Sequence, residues 1–342
     1  MIQLIERILR WLRGGSLKLL ILAGIILLIS GTLSPIGTIV WWISQKAENL
    51  GFKKNEPKQL QPSKNPNSVG TAKLNCYIIF LTGVGDFSTN ELTFGEEVFL
   101  NGLERDHTNC VVVRDVFPYS VANKSLGGER LLAPLWRFAN EAKGWLGIAS
   151  VLIKVRNLWR FAISADERYG PVYNQGIANA IIDRMNAAQP IPRSRQPLKL
   201  ILIGTSGGGQ VALGATKYLD KWLDAQITVV SVGGVFNGID GFDAANRVYH
   251  LSGSRDWVDN IGSIVFPSRW PLTFASPFNQ AIQQGRYEES MTGYHDHDGA
   301  EGYFGEKVAR PNGIRYVDLT LQKVNQLPIW SMQKSDDVSS SD

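Results

Sequence analysis

The chain has 342 residues, 44% hydrophobic and 19% charged, with a net charge of +4. That apolar content supports one large or two small cores and excludes a disordered or fibrous protein. Lysine and arginine are scattered, and their densest cluster flanks an apolar segment near the N-terminus, so nucleic acid is not an expected partner. Residues 1–13, "MIQLIERILRWLR", place Ile2, Ile5, Leu9 and Leu12 at helical spacing, with Arg7, Arg10 and Arg13 elsewhere on the turn. From Leu17 to Ile43 the only charge is Lys18, and Trp41 and Trp42 close the run. Roughly 20 apolar residues cross a bilayer core, and tryptophans favour its interface. Residues 1–48 therefore read as an amphipathic helix followed by a single transmembrane anchor. The run is too long for a typical signal-peptide core and lacks a clear small-x-small cleavage site followed by a polar mature start. Its orientation is open: Arg7, Arg10, Arg13 and Lys18 precede it, and Lys46, Lys53, Lys54 and Lys58 follow.

Residues 49–72 are rich in Pro, Asn, Lys and Ser and read as a flexible linker. A globular domain is expected over 73–330, and 331–342 as a disordered tail. Within the domain, short runs rich in β-branched residues predict strands at 74–83, 110–117, 198–204, 226–234 and 247–253, with a weaker last one at 285–293. Helices are predicted at 95–105, 171–188 and 207–223, and a closing helix at 299–309. Strand–helix alternation at this spacing implies right-handed βαβ units. The fold class is thus α/β, a mostly parallel open sheet of about six strands with helices on both faces. Residues 120–170, carrying Trp136, Trp145 and Trp159, break the rhythm and read as a helical insertion over the sheet's carboxyl edge. Cys76 and Cys110 fit no metal-ligand spacing and are expected to be buried free thiols. A disulfide is the alternative, because both can open neighbouring strands.

"LILIGTSGGGQVALGA" sets Ser206 in G-T-S-G-G, between a predicted strand and a predicted helix. In a sharp turn of this kind the residues two before and two after the serine must be tiny, and Gly204 and Gly208 meet that demand. The helix N-terminus behind the serine offers N–H groups and a positive dipole end to a developing oxyanion. A P-loop is excluded, since no lysine follows the glycines. A dinucleotide fingerprint is disfavoured, because "ITVVSVGGVFNG" ends without an acidic residue. No cofactor is expected.

Here the chain resembles the α/β-hydrolase family, over about residues 73–310. The resemblance implies a Ser–acid–His triad in that chain order, so both partners follow Ser206. His107 precedes it, and His250 lies within a predicted strand and reads as a core histidine. The remaining histidines are His295 and His297, in "GYHDHDGAEGYFG". His297 is the expected base, since "HDGAEGY" resembles the small-residue turn that leads to a closing helix in related hydrolases, and His295 is the alternative. A metal site in His295-Asp296-His297-Asp298 is a further reading, although no other His or Cys stands nearby in sequence to complete it. "GSRDWV" places Asp256 at a turn similar to the family's acid turn, with Asp259 and Asp240 as competitors. Position by position, Thr82-Gly83 stands where similar hydrolases have His-Gly, and Val84 N–H would join Gly207 N–H as the oxyanion hole. The function implied is a membrane-tethered serine hydrolase of an ester or thioester, with a small-molecule or lipid ester as its substrate. A non-catalytic module of the same fold, binding at the membrane surface, stays open as the alternative.

Overall fold

Strand and helix alternate through most of the chain from Cys76 onward. The structure is a computed structural model and describes residues 75–84, 91–119, 157–192, 197–309 and 313–330. The anchor expected over 17–43, the linker, most of the insertion and the tail lie outside the described residues. Among the described residues, no helix is long and apolar enough to cross a membrane.

The first strand, β1 (Cys76–Leu81), leads to α1 (Phe94–Asp106) and β2 (Val111–Val116). Then come α2 (Gly170–Ala188), β3 (Leu198–Thr205), α3 (Gly207–Trp222), β4 (Ala225–Val232) and β5 (Arg247–Gly253). The short helices α4 (Ile261–Val265) and α5 (Pro277–Gln283) precede β6 (Tyr287–Gly293). These six strands form one sheet in the order β2-β1-β3-β4-β5-β6, and every neighbouring pair is parallel. A small antiparallel pair, β7 (Val308–Ala309) and β8 (Ile314–Arg315), precedes the last helix, α6 (Tyr316–Asn325).

Side chains alternate across a strand, and β1 shows what this does to a sheet covered on both faces. Tyr77, Ile79 and Leu81 enter a core shared with Ile177 and Ile181 of α2 and Val211 of α3. Ile78 and Phe80 enter a second core with Phe99 and Leu103 of α1 and Val317 and Leu321 of α6. All six residues of β1 are buried, which explains why it reads as an unbroken apolar run. Helix α1 starts at a capping box: Thr93 Oγ1 accepts the Glu96 N–H, and a Glu96 carboxylate oxygen accepts the Thr93 N–H at 2.8 Å.

Two expectations are corrected. Cys76 and Cys110 are joined as a disulfide, not held as free thiols. The register pairs Tyr77 with Val111, so Cys76, which opens β1, lies beside Cys110, which immediately precedes the neighbouring parallel β2, with their Cα atoms 4.4 Å apart. The closing helix does not occupy 299–309. That stretch forms turns and β7, because Gly299 has φ 81° and a Cβ on Gly305 would lie 2.2 Å from the Ala300 carbonyl oxygen. The helix forms instead at Tyr316–Asn325, where Val317, Leu321 and Val324 recur at helical spacing on a buried face.

Strand order reverses between β1 and β3, since β2 lies on one side of β1 and β3 on the other. Open α/β sheets leave a crevice at such a switch point, at the carboxyl ends of the strands.

Candidate active site

Ser206 sits in that crevice, at the junction of β3 and α3. Its φ of 50° and ψ of −126° make it the one non-glycine residue with positive φ among the described residues. A conformation so rarely adopted by L side chains costs about 1–3 kcal/mol and persists only where its surroundings enforce it. Here the Ser206 N–H donates to the Val232 carbonyl, and its own carbonyl accepts the N–H groups of Gly209 and Val235, all at 3.1 Å. The flanking glycines make the turn possible. A Cβ on Gly204 would lie 2.4 Å from the Gly208 carbonyl oxygen, and one on Gly208 would lie 2.2 Å from that of Leu81.

Ser206 is half-buried, and its hydroxyl faces His297, whose Nε2 is 3.0 Å from Oγ. The other ring nitrogen, Nδ1, is 2.8 Å from Asp256 Oδ2. Asp256 follows β5, and its side chain is wholly buried, whereas that of His297 is 20% exposed. The carboxylate is fully occupied. Oδ2 also accepts the Tyr303 hydroxyl at 2.9 Å, and Oδ1 accepts the N–H groups of Val258 at 2.8 Å and Asp259 at 3.4 Å. Burial opposes ionisation, but the hydrogen bonds from His297, Tyr303 and the Val258 amide outweigh it and hold the carboxyl below its ordinary pKa. Tyr303 stays a protonated donor, because burial and the Asp256 charge raise its pKa.

The turn after β1 lies over the N-terminus of α3. A Cβ on Gly83 would approach Ser206 Cβ to 2.9 Å, and a Cβ on Gly207 would approach Val84 Cγ1 to 2.7 Å. The Val84 N–H makes no hydrogen bond among the described residues. The Gly207 N–H belongs to the first helical turn, whose amides have no intrahelical acceptor and here no side-chain cap. The turn carrying Val84 and the first turn of α3 therefore flank Ser206.

The other expected candidates lie elsewhere. His295 is fully buried, its ring stacked on Tyr303 at 5.1 Å and edge-on to Tyr316 at 5.2 Å; burial lowers its pKa. His250 is a core histidine in β5, with Nδ1 3.1 Å from Ser231 Oγ, and burial pushes its pKa down to about 3. His107 stacks on Trp330 and bonds Asn325, near the carboxyl end of α1. Asp259 faces His250 rather than His297, at 4.0 Å, and Asp240 accepts hydrogen bonds from Gln210 and Asn237. Among the described residues, no group of three or more His, Cys, Asp or Glu side chains is placed to hold a metal ion.

Four supporting residues escaped the sequence reading. Tyr303 carries a weak signal, as a tyrosine beside glycines just after His297. Tyr119 donates its hydroxyl to the Gly207 carbonyl at 2.9 Å, and Asn157 Nδ2 donates to the Val84 carbonyl at 3.1 Å. Arg160 Nη1 donates to the Tyr119 carbonyl at 2.6 Å. Asn157 and Arg160 belong to the helical end of the insertion, residues 157–165, and are buried despite their polarity. No local pattern marks them.

Comparison with protein-family models finds no match for this chain, and searches of curated proteins and of solved structures find none either.

Proposed function

We propose that the protein is a membrane-tethered serine hydrolase that cleaves an ester or thioester. The observation that carries this reading is the hydrogen-bonded line from Ser206 Oγ through His297 to Asp256, with the serine on a strained strand-to-helix turn. In this mechanism His297 Nε2 takes the hydroxyl proton as Oγ attacks the carbonyl carbon. The negative oxygen of the tetrahedral intermediate accepts the Val84 and Gly207 N–H groups. Collapse expels the alcohol or thiol, which leaves with the proton from His297. Water then attacks the acyl-serine by the same route in reverse order of proton transfer, releasing the acid and restoring Ser206. Asp256 keeps the His297 proton on Nδ1, so Nε2 is free to accept.

The tethered location rests on the apolar run 17–43 and the linker 49–72 of the sequence. An acyl or lipid-like substrate follows from that location together with the aromatic-rich insertion. The chemistry is tested with a fluorophosphonate probe, which should label Ser206 in the native chain. Labelling should vanish in Ser206→Ala and after heating. A folded chain that resists the probe and cleaves no ester defeats the hydrolase reading and leaves a binding module. For the substrate class, long-chain esters are expected to be cleaved better than short soluble ones; the opposite preference removes the lipid-like assignment.

A further inference from the structure

Between Asn260 and Gly285 the chain carries a single charged residue, Arg269. That guanidinium is not on the surface: Arg269 is 9% exposed, stacked over the Phe236 ring at 4.2 Å. The surface of this stretch is consequently uncharged, and several large apolar side chains face outward from it. Leu272 is 85% exposed, Phe274 71% and Ile264 70%, with Trp270 beside them at 43%. Such a concentration in one segment is not the scattered apolar exposure of an ordinary surface.

The segment holds these side chains out by an internal scaffold. Asn279 Nδ2 donates to the carbonyls of Trp270 and Thr273 at 2.8 and 2.9 Å. The Trp270 N–H donates to Pro267, and the Thr273 N–H to Trp270, both at 3.0 Å. The Trp270 indole N–H is itself spent on the Ile264 carbonyl, at 3.3 Å. Proline at 267 and 271 removes two further N–H groups. Pairing of part of the backbone within the segment lowers the cost of withdrawing water from it, because hydrocarbon offers no replacement partners. The surface also adjoins the candidate site. Phe266 packs on Phe161 with ring centroids 6.4 Å apart, and Phe161 borders Gly207, where an added Cβ would meet its ring at 3.2 Å.

We infer that the rim at Ile264–Phe274 is a lipid-docking surface that seats the domain on a bilayer next to Ser206. A lipid surface is the occupant that fits a neutral face of Trp, Leu, Phe and Ile. The chain before the described residues points the same way. Residues 44–74 join the apolar run to β1, and a flexible segment of that length spans about 30 Å. An anchored domain would thus never leave the neighbourhood of the membrane, and docking would be an intramolecular step. The inference deepens the proposed function by naming where an acyl substrate is met, and rests on that reading only for the substrate and the anchor.

The test uses the full chain reconstituted into phosphatidylcholine vesicles. Leu272→Cys supplies a unique labelling site, because the two native cysteines are bonded to each other. An environment-sensitive fluorophore there should be quenched by nitroxide lipids and shielded from iodide. The same label on Lys221→Cys, at the far end of α3 from Ser206, should show the reverse. Equal iodide quenching at both positions overturns the inference. So does shielding at Leu272 from both quenchers, which would mean that another part of the chain or a second copy covers the rim. A chain that does not float with the vesicles overturns docking and anchor together. The label decides docking even if the chain cleaves no ester, so failure of the hydrolase reading is seen separately. If it does cleave one, Leu272→Asp with Phe274→Asp should leave a short soluble ester unaffected. Turnover of a long-chain ester in the vesicles should fall at least about tenfold for each side chain withdrawn from lipid.

Discussion

Replacing Asp256 with asparagine tests the proposed chemistry more sharply than deleting the serine, because the structure dictates how the new amide must sit. Oδ1 of the native carboxylate accepts two backbone N–H groups, from Val258 at 2.8 Å and Asp259 at 3.4 Å. An asparagine keeps its one oxygen there, so its NH2 group takes the place of Oδ2. That position is 2.8 Å from His297 Nδ1 and 2.9 Å from the Tyr303 hydroxyl. Facing a donor, the imidazole turns Nδ1 into an acceptor and carries its proton on Nε2. Nε2 is the nitrogen 3.0 Å from Ser206 Oγ, and in that tautomer it has no lone pair for the hydroxyl proton. Loss of the tautomer costs about 10⁴ in kcat, or about 5.4 kcal/mol of barrier at about 1.36 kcal/mol per decade. The assay is kcat/KM on a short p-nitrophenyl ester, with a thermal melt of each protein to establish that the fold is retained. A folded Asp256→Asn variant within about tenfold of the parent would refute the argument that this carboxylate sets the tautomer.

Three further outcomes follow from the geometry. Ser206→Gly should be inactive yet more stable than the parent by about 1 kcal/mol in a urea melt, because glycine adopts φ 50° without the strain a side chain brings; equal or lower stability refutes that strain. Asp259 has its pKa raised to about 7 by burial and by the charge of Asp256. An acid whose folded pKa lies above the ordinary value near 3.9 destabilises the fold as pH rises through the interval between them. Asp259→Asn should therefore gain on the parent between about pH 4 and 7, by at most about 1.4 kcal/mol per pH unit of that window; a flat difference in denaturation melts would show the group is not burdened. Cys76→Ser with Cys110→Ser opens a cross-link between residues 34 apart, and the chain-entropy model puts its loss at about 4 kcal/mol. A urea midpoint unmoved by the double substitution would contradict that.

How much of this was legible in the sequence depends on how local each signal is. The strands were legible because a strand buried on both faces must be continuously apolar, as Cys76–Leu81 is throughout and β3 is over 200–203. The serine turn was legible because backbone contacts at Gly204 and Gly208 leave no room for a side chain. Choosing between His295 and His297 was not a local matter. Both stand in the same His-Asp repeat, and what separates them is a distant packing event, the Tyr303 ring stacked on one and the Asp256 carboxylate bonded to the other. The last helix was misplaced for a related reason: what holds 299–309 in turns is contact with distant partners, Tyr303 reaching the Asp256 carboxylate and Phe304 the rings of Phe80 and Phe99. Tyr119, Asn157 and Arg160 left no trace at all, since a buried polar side chain is recognised only by the carbonyl it serves.

The bond between Cys76 and Cys110 also bears on geography. Thiols closed into such a bridge stay closed outside the reducing cytosol. Arginines at 7, 10 and 13, by contrast, resist being carried across a bilayer. Wherever the apolar run spans a membrane, the sheet and its serine are expected on the face opposite those arginines, an assignment that the balanced count of flanking charges could never make.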